Sequence, residues 1–439
     1  MADKSNLEIA RDATRIAANL GVADVAVSVR RSRFLELTYR DGELEKIQES
    51  TTRGLSATLY HEGRYSSSST SDLRPASIEQ FLGQAVTLTG LLEPDEYRKL
   101  PDPALYEGRP TDDLELEDPG YDDVDVDQRK KIAAAMEAAA HDDPSVISAS
   151  ATVYDSLSEN VKVHSNGFEG STRSTSYWSG AKVTVEDEGD KRPEASWWVG
   201  DRRFADLDTG KIGHKALQRA LARVGSGPVE TRRCPMVVEN VVARRLLSPL
   251  LGPLSGRALQ QRRSCFEGKL GQQVASERLT VTDDPLIPQG FGSRHYDGEG
   301  ISARRMPVFE KGVLKTYYID TYYGRKLEQD PTTGSPSNLV VAPGSRSAAE
   351  LYKGVGEGVL VTSFLGGNSD PTTGDYSFGI RGHLIEGGKV RAPVSEMNIT
   401  GNLLELWSNL IWVGNDPHPY SSVLVPTLAF DDVQFSGLG

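Results

Sequence analysis

The chain is poor in the residues that mark several large protein classes. It has two cysteines, Cys234 and Cys265, in 439 residues. Two are too few for a disulfide framework, and a reducing compartment fits best. Its seven histidines, His61, His141, His164, His214, His295, His383 and His418, are scattered, and none stands in H-E-x-x-H. That helix motif sets two imidazoles and a glutamate base on one face, and without it a zinc hydrolase site has no obvious seat. There is no G-x-S-x-G turn for a serine nucleophile. Positive charge is in deficit, 49 Lys and Arg against 62 Asp and Glu, for a net charge of −13. Holding duplex DNA needs a basic face. Arg257, Arg262 and Arg263 cluster, but they read as a solvated helix face. No apolar run approaches the ~18 residues of a membrane span, and "MADKSNLEIARDATRIAANLG" lacks a signal-type apolar segment. The expectation is a cytoplasmic protein with neither a nucleic-acid nor a membrane partner.

What is present is a repeated α+β order. At roughly 150 residues per domain the length predicts about three domains. Ile9, Ala13, Ile16, Ala17 and Leu20 give a first helix, stopped by Gly21. Leu35, Leu37 and Tyr39 alternate with polar residues and run into Asp41-Gly42, a hairpin signal. Two more strands flank His61-Glu62-Gly63. A second helix is expected to begin on a capping box, Ser77 with Gln80, and to bury Ile78, Phe81, Leu82 and Ala85. The stretch 101–127 is rich in Pro, Gly and Asp and reads as a linker. The order then recurs: a helix with Ile132, Ala135, Met136 and Ala139, strands around a hairpin signal at Asn166-Gly167, and a helix with Leu217, Ala220, Leu221 and Val224. The predicted units are 1–100, 128–230 and 231–439. The last is mostly short strands with helical inserts, which suggests a barrel-like or sandwich-like domain. The fold class expected is α+β, with a duplication in its first half.

Candidate chemistry is sparse. Cys265 follows Arg-Arg-Ser, a setting that can favour thiolate; the alternative is a Cys packed as a small hydrophobe. Gly354–Gly358, "GVGEG", follows a helix and opens a strand, the reverse of a phosphate loop. Two glycine-rich polar loops between strands are better placed to capture an extended peptide by strand addition. They hold Asp297, Gly298, Glu299 and Gly300, and Gly366, Gly367, Asn368 and Asp370. Ordinary hairpin loops are the competing reading. "RRLLSPLLGP", Arg244–Pro253, has leucines on one helical stripe but Pro249 inside it, where a proline removes a hydrogen bond and costs about 3 kcal/mol.

Three stretches together resemble the TldD/PmbA family: "AVSVRRSRFLELTYRDGELEK" near the start, "YDGEGISARRMPVFEKGVLKTYYIDTYYGRKL" at Tyr296–Leu327, and "GDYSFGIRGHLIEGGKVRAPVSEMNITGNLLELWSNLIWVGND" at Gly374–Asp416. The resemblance implies one of two kinds of subunit. TldD-type subunits carry a helical H-E-x-x-x-H and a later Cys that together hold a metal. The TldE (PmbA) kind lacks them, and the two assemble into a heterodimeric metallopeptidase that cuts unstructured peptides or trims leader peptides. Aligned on "GQQVAS", Ser248, Pro249 and Pro253 fall at the metal-motif positions, and the late Cys region reads "NDPHPYSSVLVP", with His418 as a lone imidazole. The chain therefore resembles the TldE kind. It is expected to hold no cofactor and no catalytic residue of its own, with zinc in a TldD-type partner and an extended peptide as substrate. A homodimer of the isolated chain, or a stand-alone peptide-binding or regulatory protein, is the alternative. A hydrolase built on Cys265 or on dispersed residues is a third.

Overall fold

The computed structural model describes residues 4–437. Helix α1 (Asn6–Asn19) starts on a reciprocal cap between Ser5 and Glu8, and Gly21 follows its end at φ +82°. Strands β1 (Asp24–Arg40) and β2 (Glu43–His61) turn on Asp41 and Gly42, at φ +49° and +84°, the pair of positive φ values that a tight I′ hairpin demands. Glu62 and Gly63, also at positive φ, lead into β3 (Arg64–Thr70). Helix α2 (Pro75–Thr89) does not use the expected Ser77–Gln80 box. Pro75 takes the first helical position, where its missing N–H costs nothing, so Ser77 falls inside the first turn.

The order repeats with α3 (Val126–Ala140), β4 (Val146–His164), β5 (Glu169–Val185), β6 (Glu194–Asp201) and α4 (Ile212–Leu221). The buried stripe of α3 is Arg129, Ala133, Met136, Glu137 and Ala140. Of the expected stripe, Met136 is buried and Ile132 packs half-buried on the same core, while Ala135 is exposed and Ala139 half-buried, because a run of alanines carries little phase information. Long-range pairing then joins the halves: β1 lies antiparallel to β4, with Ala26 opposite His164 and Arg40 opposite Ser150. All six strands form one sheet in the order β3-β2-β1-β4-β5-β6. Side chains alternate along β1, so Val25, Val27, Val29, Leu35 and Leu37 share a face. The valines pack under α1 and α2, and the leucines join the core under α3 and α4. Between the two cores the same face carries Arg31 and Arg33. Residues 101–125 run from sheet to C-terminal region as a strap, and the expected linker ends two residues early because α3 begins at Val126. Leu116 O accepts from Thr175 N on one side, and Leu114 O and Leu105 O accept from Gln289 N and Ser302 N on the other.

The C-terminal region contains β7 (Arg232–Val238), α5 (Asn240–Leu251), α6 (Gly256–Gln260), β8 (Val281–Asp283), β9 (Met306–Glu310), β10 (Val313–Leu314), α7 (Thr321–Leu327), β11 (Leu339–Val341), α8 (Ala348–Val355), β12 (Gly358–Ser369), β13 (Asp375–Glu386), β14 (Lys389–Asn402), α9 (Leu403–Ser408), β15 (Leu410–Val413), β16 (Val423–Leu424) and β17 (Leu428–Gly437). Strands β14, β13, β12, β7 and β17 follow one another, and pairing of β14 with β17 closes the ring. The α+β class expected from the sequence is what the chain adopts, and of the barrel-like and sandwich-like alternatives the C-terminal region takes the barrel. Alternation again divides the cores: Met236 and Val238 face one, while Val237, Leu360 and Ala429 pack with Leu351 of α8. Helix α5 buries Ala243, Leu246, Leu247 and Leu250 in the larger core. Each of those leucines contributes about 1.5–3 kcal/mol by leaving water, enough in sum to offset one interior proline. Among the described residues no helix is long and apolar enough to cross a membrane.

Candidate functional site

The two glycine-rich loops are built differently. In the first, Asp297 is 5% exposed. Its Oδ1 accepts from the amides of Glu299 and Ile301 at 2.8 and 3.0 Å, and its Oδ2 accepts from Thr333 Oγ1 at 3.0 Å and Gly334 N at 3.3 Å. Glu299 accepts from Thr321 N and Oγ1 at 2.8 and 2.6 Å, at the start of α7. Burial pushes the Glu299 carboxyl above its ordinary value, against those two hydrogen bonds. Lys162 Nζ donates to Gly298 O, which ties the loop to β4. Gly300 sits at φ +85°, and a Cβ there would stand 2.8 Å from the Phe168 ring. All four carboxylate oxygens already accept from the protein, so the loop's acids fasten it to Thr321, Thr333 and Gly334 within the C-terminal region, while Lys162 and Phe168 hold it to the sheet. In the second loop, Gly366 and Gly367 lie opposite Gly379 and Phe378 in the β12–β13 ladder. A Cβ on Gly367 would meet Ser377 O at 2.0 Å. Asp370 caps the turn by accepting from Thr372 N at 2.7 Å. The ends of this hairpin, Asn368 to Asp370, face an open groove with Arg263 and Tyr376.

Helix α5 and the segment 415–421, far apart in sequence, meet in space. Asn240 Nδ2 donates to Asp416 O at 2.6 Å, and the Asp416 carboxylate accepts from Thr427 N and Oγ1 at 3.0 and 2.7 Å. Ser248 is exposed and its hydroxyl donates to Arg244 O at 2.9 Å, a back-bond typical of serine inside a helix. Pro249 interrupts the ladder, and buried Pro253 offers only its carbonyl, which accepts from Ser264 Oγ at 2.6 Å. His418 packs edge-on to Trp197 of β6 and Tyr420, with centroids 6.4 and 5.3 Å away. Burial, helped by Arg244, Arg219 and Lys215 and opposed by Glu239, pushes its pKa down to about 4. Lys215 and Arg219 of α4 stand over the Trp197 ring at 4.4 and 5.5 Å. Arg219 also makes a two-pronged bond to Glu239, just before α5, with both distances 2.7 Å.

Three family models cover this architecture: PmbA/TldA metallopeptidase domain 1 over residues 25–89, the central domain over 119–224 and the C-terminal domain over 231–437. The chain belongs to the PmbA/TldD family. The Escherichia coli O157:H7 metalloprotease PmbA is 29% identical over 94% of this chain and 92% of that protein. A metalloprotease TldD homolog from Buchnera aphidicola is 27% identical over 53% of each. Among solved structures, a Bacteroides thetaiotaomicron protein provisionally described as a modulator of DNA gyrase matches with a TM-score of 0.97 and 40% identity over 100% of both chains. TldE from Thermococcus kodakarensis has the same fold, with a TM-score of 0.84 and 20% identity over 98% of this chain and 100% of that one.

Sequence reasoning about this family missed several groups. The Arg219–Glu239 clasp joins residues on different elements with no shared motif. Asp41, Glu137 and His141 converge at the β1–β2 turn, where His141 Nδ1 lies 2.6 Å from Glu137 Oε1. Asp41 there accepts from Ala149 N and Ser148 Oγ, which fixes the hairpin against β4. Cys265, considered as a nucleophile, is 8% exposed. Burial pushes its thiol up, the opposite of what an attacking thiolate needs.

Proposed function

We propose that this chain is the TldE/PmbA-type subunit of a heterodimeric TldD/TldE metallopeptidase. In this reading it contributes to binding an unstructured peptide while the zinc-bearing partner supplies the chemistry. The observation that carries the reading is the donor set on α5 and segment 415–421. Zinc needs three or four converging N, S or O lone pairs. Ser248 Oγ is turned onto its own helix, Pro249 and Pro253 have no side-chain donor, and the charges facing His418 are mostly cationic. A divalent cation does not fit that set, so no catalytic step is routed through one here. The aromatic and cationic surroundings of His418 suit a surface that receives peptide.

The test is co-expression with a TldD-type chain carrying H-E-x-x-x-H. The expected result is a mixed dimer on size exclusion, with zinc stoichiometric with the partner chain. Chelator-sensitive cleavage of an unstructured peptide should appear only when both chains are present. Chelator-sensitive cleavage by this chain alone would overturn the assignment. Failure to form the mixed dimer, with peptide binding retained, would favour the stand-alone reading.

A further inference from the structure

A second cleft lies beside segment 417–421, at the end of β6, one of the two edge strands of the sheet β3-β2-β1-β4-β5-β6. It encloses about 270 Å³. Its walls include Ile287, Pro288, Phe291, Pro417, Pro419 and Leu424. Three of these are prolines, which bring no N–H to the cavity. Arg202 also lines it and is only 8% exposed. Nη1 donates to Thr175 O at 2.8 Å and Nη2 to Gly290 O at 3.0 Å, while Nε is buried with no partner. The guanidinium stacks over Phe291, 5.1 Å from the ring centroid.

No carboxylate forms an ion pair with Arg202 among the described residues. Its sequence neighbour Arg203 pairs with Glu115 at 2.8 Å, so acids are at hand but not used here. Asp201 shares the cleft, yet its carboxylate accepts from the Arg203 amide at 3.0 Å. A buried charge without a counter-ion is costly, and it is rarely kept where nothing compensates it. Burial lowers the guanidinium's pKa to about 10, and the nearby Asp201 charge offsets it only in part. Two neutral carbonyls hold Arg202 in place, and among the described residues Nε has no partner and no carboxylate pairs with the guanidinium directly. A planar carboxylate is the group that best matches a guanidinium fork.

We propose that this cleft is a carboxylate-binding subsite, in which Arg202 is the counter-ion for an acidic group on an extended peptide and the proline-rich walls cover the apolar part of the same residue. The inference rests on the peptide-binding reading given above and names the chemistry recognised. The carboxylate can come from an acidic side chain or from a peptide C-terminus.

Three probes separate the cases in calorimetric titrations of the full chain. They are the amidated hexapeptide acetyl-Ala-Leu-Pro-Ala-Glu-Ala, its Gln counterpart, and that Gln peptide with a free C-terminus. At least one charged peptide should bind roughly tenfold more tightly than the neutral one, the size of a single charge-assisted hydrogen bond. Tighter binding of the Glu peptide assigns the side chain, and tighter binding of the free acid assigns the terminus. Arg202→Met should erase that preference and leave the neutral peptide's affinity unchanged, while Arg202→Lys retains part of it. If Arg202→Met does not fold, Asp201→Asn serves instead, since Asp201 lines the cleft and an Asn Oδ1 can still accept from the Arg203 amide. Removing that like charge should tighten the charged peptide at least threefold and spare the neutral one; equal effects on both, or none, would overturn the subsite. Equal affinity of the wild-type chain for all three probes would overturn the carboxylate subsite and leave peptide binding standing. No binding by any probe would remove both.

Discussion

The sharpest stability test is Asp155→Ala. Asp155 is wholly buried in β4, and its Oδ2 accepts from Arg129 Nε at 2.6 Å, with the Arg129 side chain 3% exposed. Its Oδ1 accepts from Tyr121 Oη at 2.8 Å, in the strap before α3. The guanidinium also donates to Val124 O and Asp125 O, at 2.6 and 3.0 Å, so it cannot swing out to water without unravelling the start of α3. Removing the carboxylate strands a buried cation and orphans a buried hydroxyl. Breaking a buried pair from one side costs about 3–5 kcal/mol, and an unsatisfied hydroxyl adds about 1–3 kcal/mol where no water reaches it. We expect a loss of about 4 kcal/mol in the sheet unit. Arg129→Met with Asp155→Leu should recover at least half of it, because the desolvation penalty disappears along with the pair. A chain of three family domains need not unfold in one step. Urea unfolding should therefore be followed by circular dichroism together with hydrogen exchange of the α3 amides. A loss below about 1 kcal/mol for Asp155→Ala, or a double variant as unstable as the single, would refute the reasoning.

Three further outcomes are expected. His164 is 4% exposed, with Nδ1 3.0 Å from Tyr106 Oη, and burial pushes its pKa down to about 3. Its ordinary value is 6.5, so the unfolded chain binds the proton more readily; the stability it contributes is full above pH 6.5 and drains away as pH falls toward 3. A histidine-selective NMR titration should find His164 neutral at pH 5, and a midpoint near 6.5 would contradict this. Gly312→Ala should cost at least ~2 kcal/mol, because Gly312 is at φ +77° and a Cβ would stand 2.1 Å from the main-chain Ala275 O. Gly21→Ala, at φ +82° in open space, should lose only about 1 kcal/mol; equal melting shifts for the two would show that contact is irrelevant. Cys265→Ser should leave peptide cleavage by the proposed two-subunit complex unchanged, and rapid alkylation of native Cys265 would argue against its burial.

What was legible in the chain follows the range of the interactions. The Asp41-Gly42 turn is a local matter of two φ angles, and it forms as read. The α1 stripe and the helix-then-strand order of "GVGEG" are local too. Pairing of β1 with β4 depends on residues more than a hundred positions apart, and nothing in either strand names its partner. Closure of the barrel pairs β14 with β17 from Met397–Gly437 to Thr400–Gln434, closer in sequence but again with nothing in either strand to name its partner. The site divides along the same line. That Pro249 and Pro253 lack side-chain ligand atoms is a property of residue types, visible without any fold, whereas the turn of the Ser248 hydroxyl onto Arg244 O belongs to the helix. The cluster around His418 is not visible in that way: Arg219 and Lys215 come from α4, Trp197 from β6 and His418 from a distant loop, and only tertiary packing brings them together. Arg202 is the extreme case. In "GDRRF" it is indistinguishable from Arg203, and a surface arginine is the ordinary expectation for both. Burial without a carboxylate separates them, and burial is a property of the surroundings. A charge that the fold leaves unanswered is therefore a better guide to a ligand here than any motif the sequence spells out.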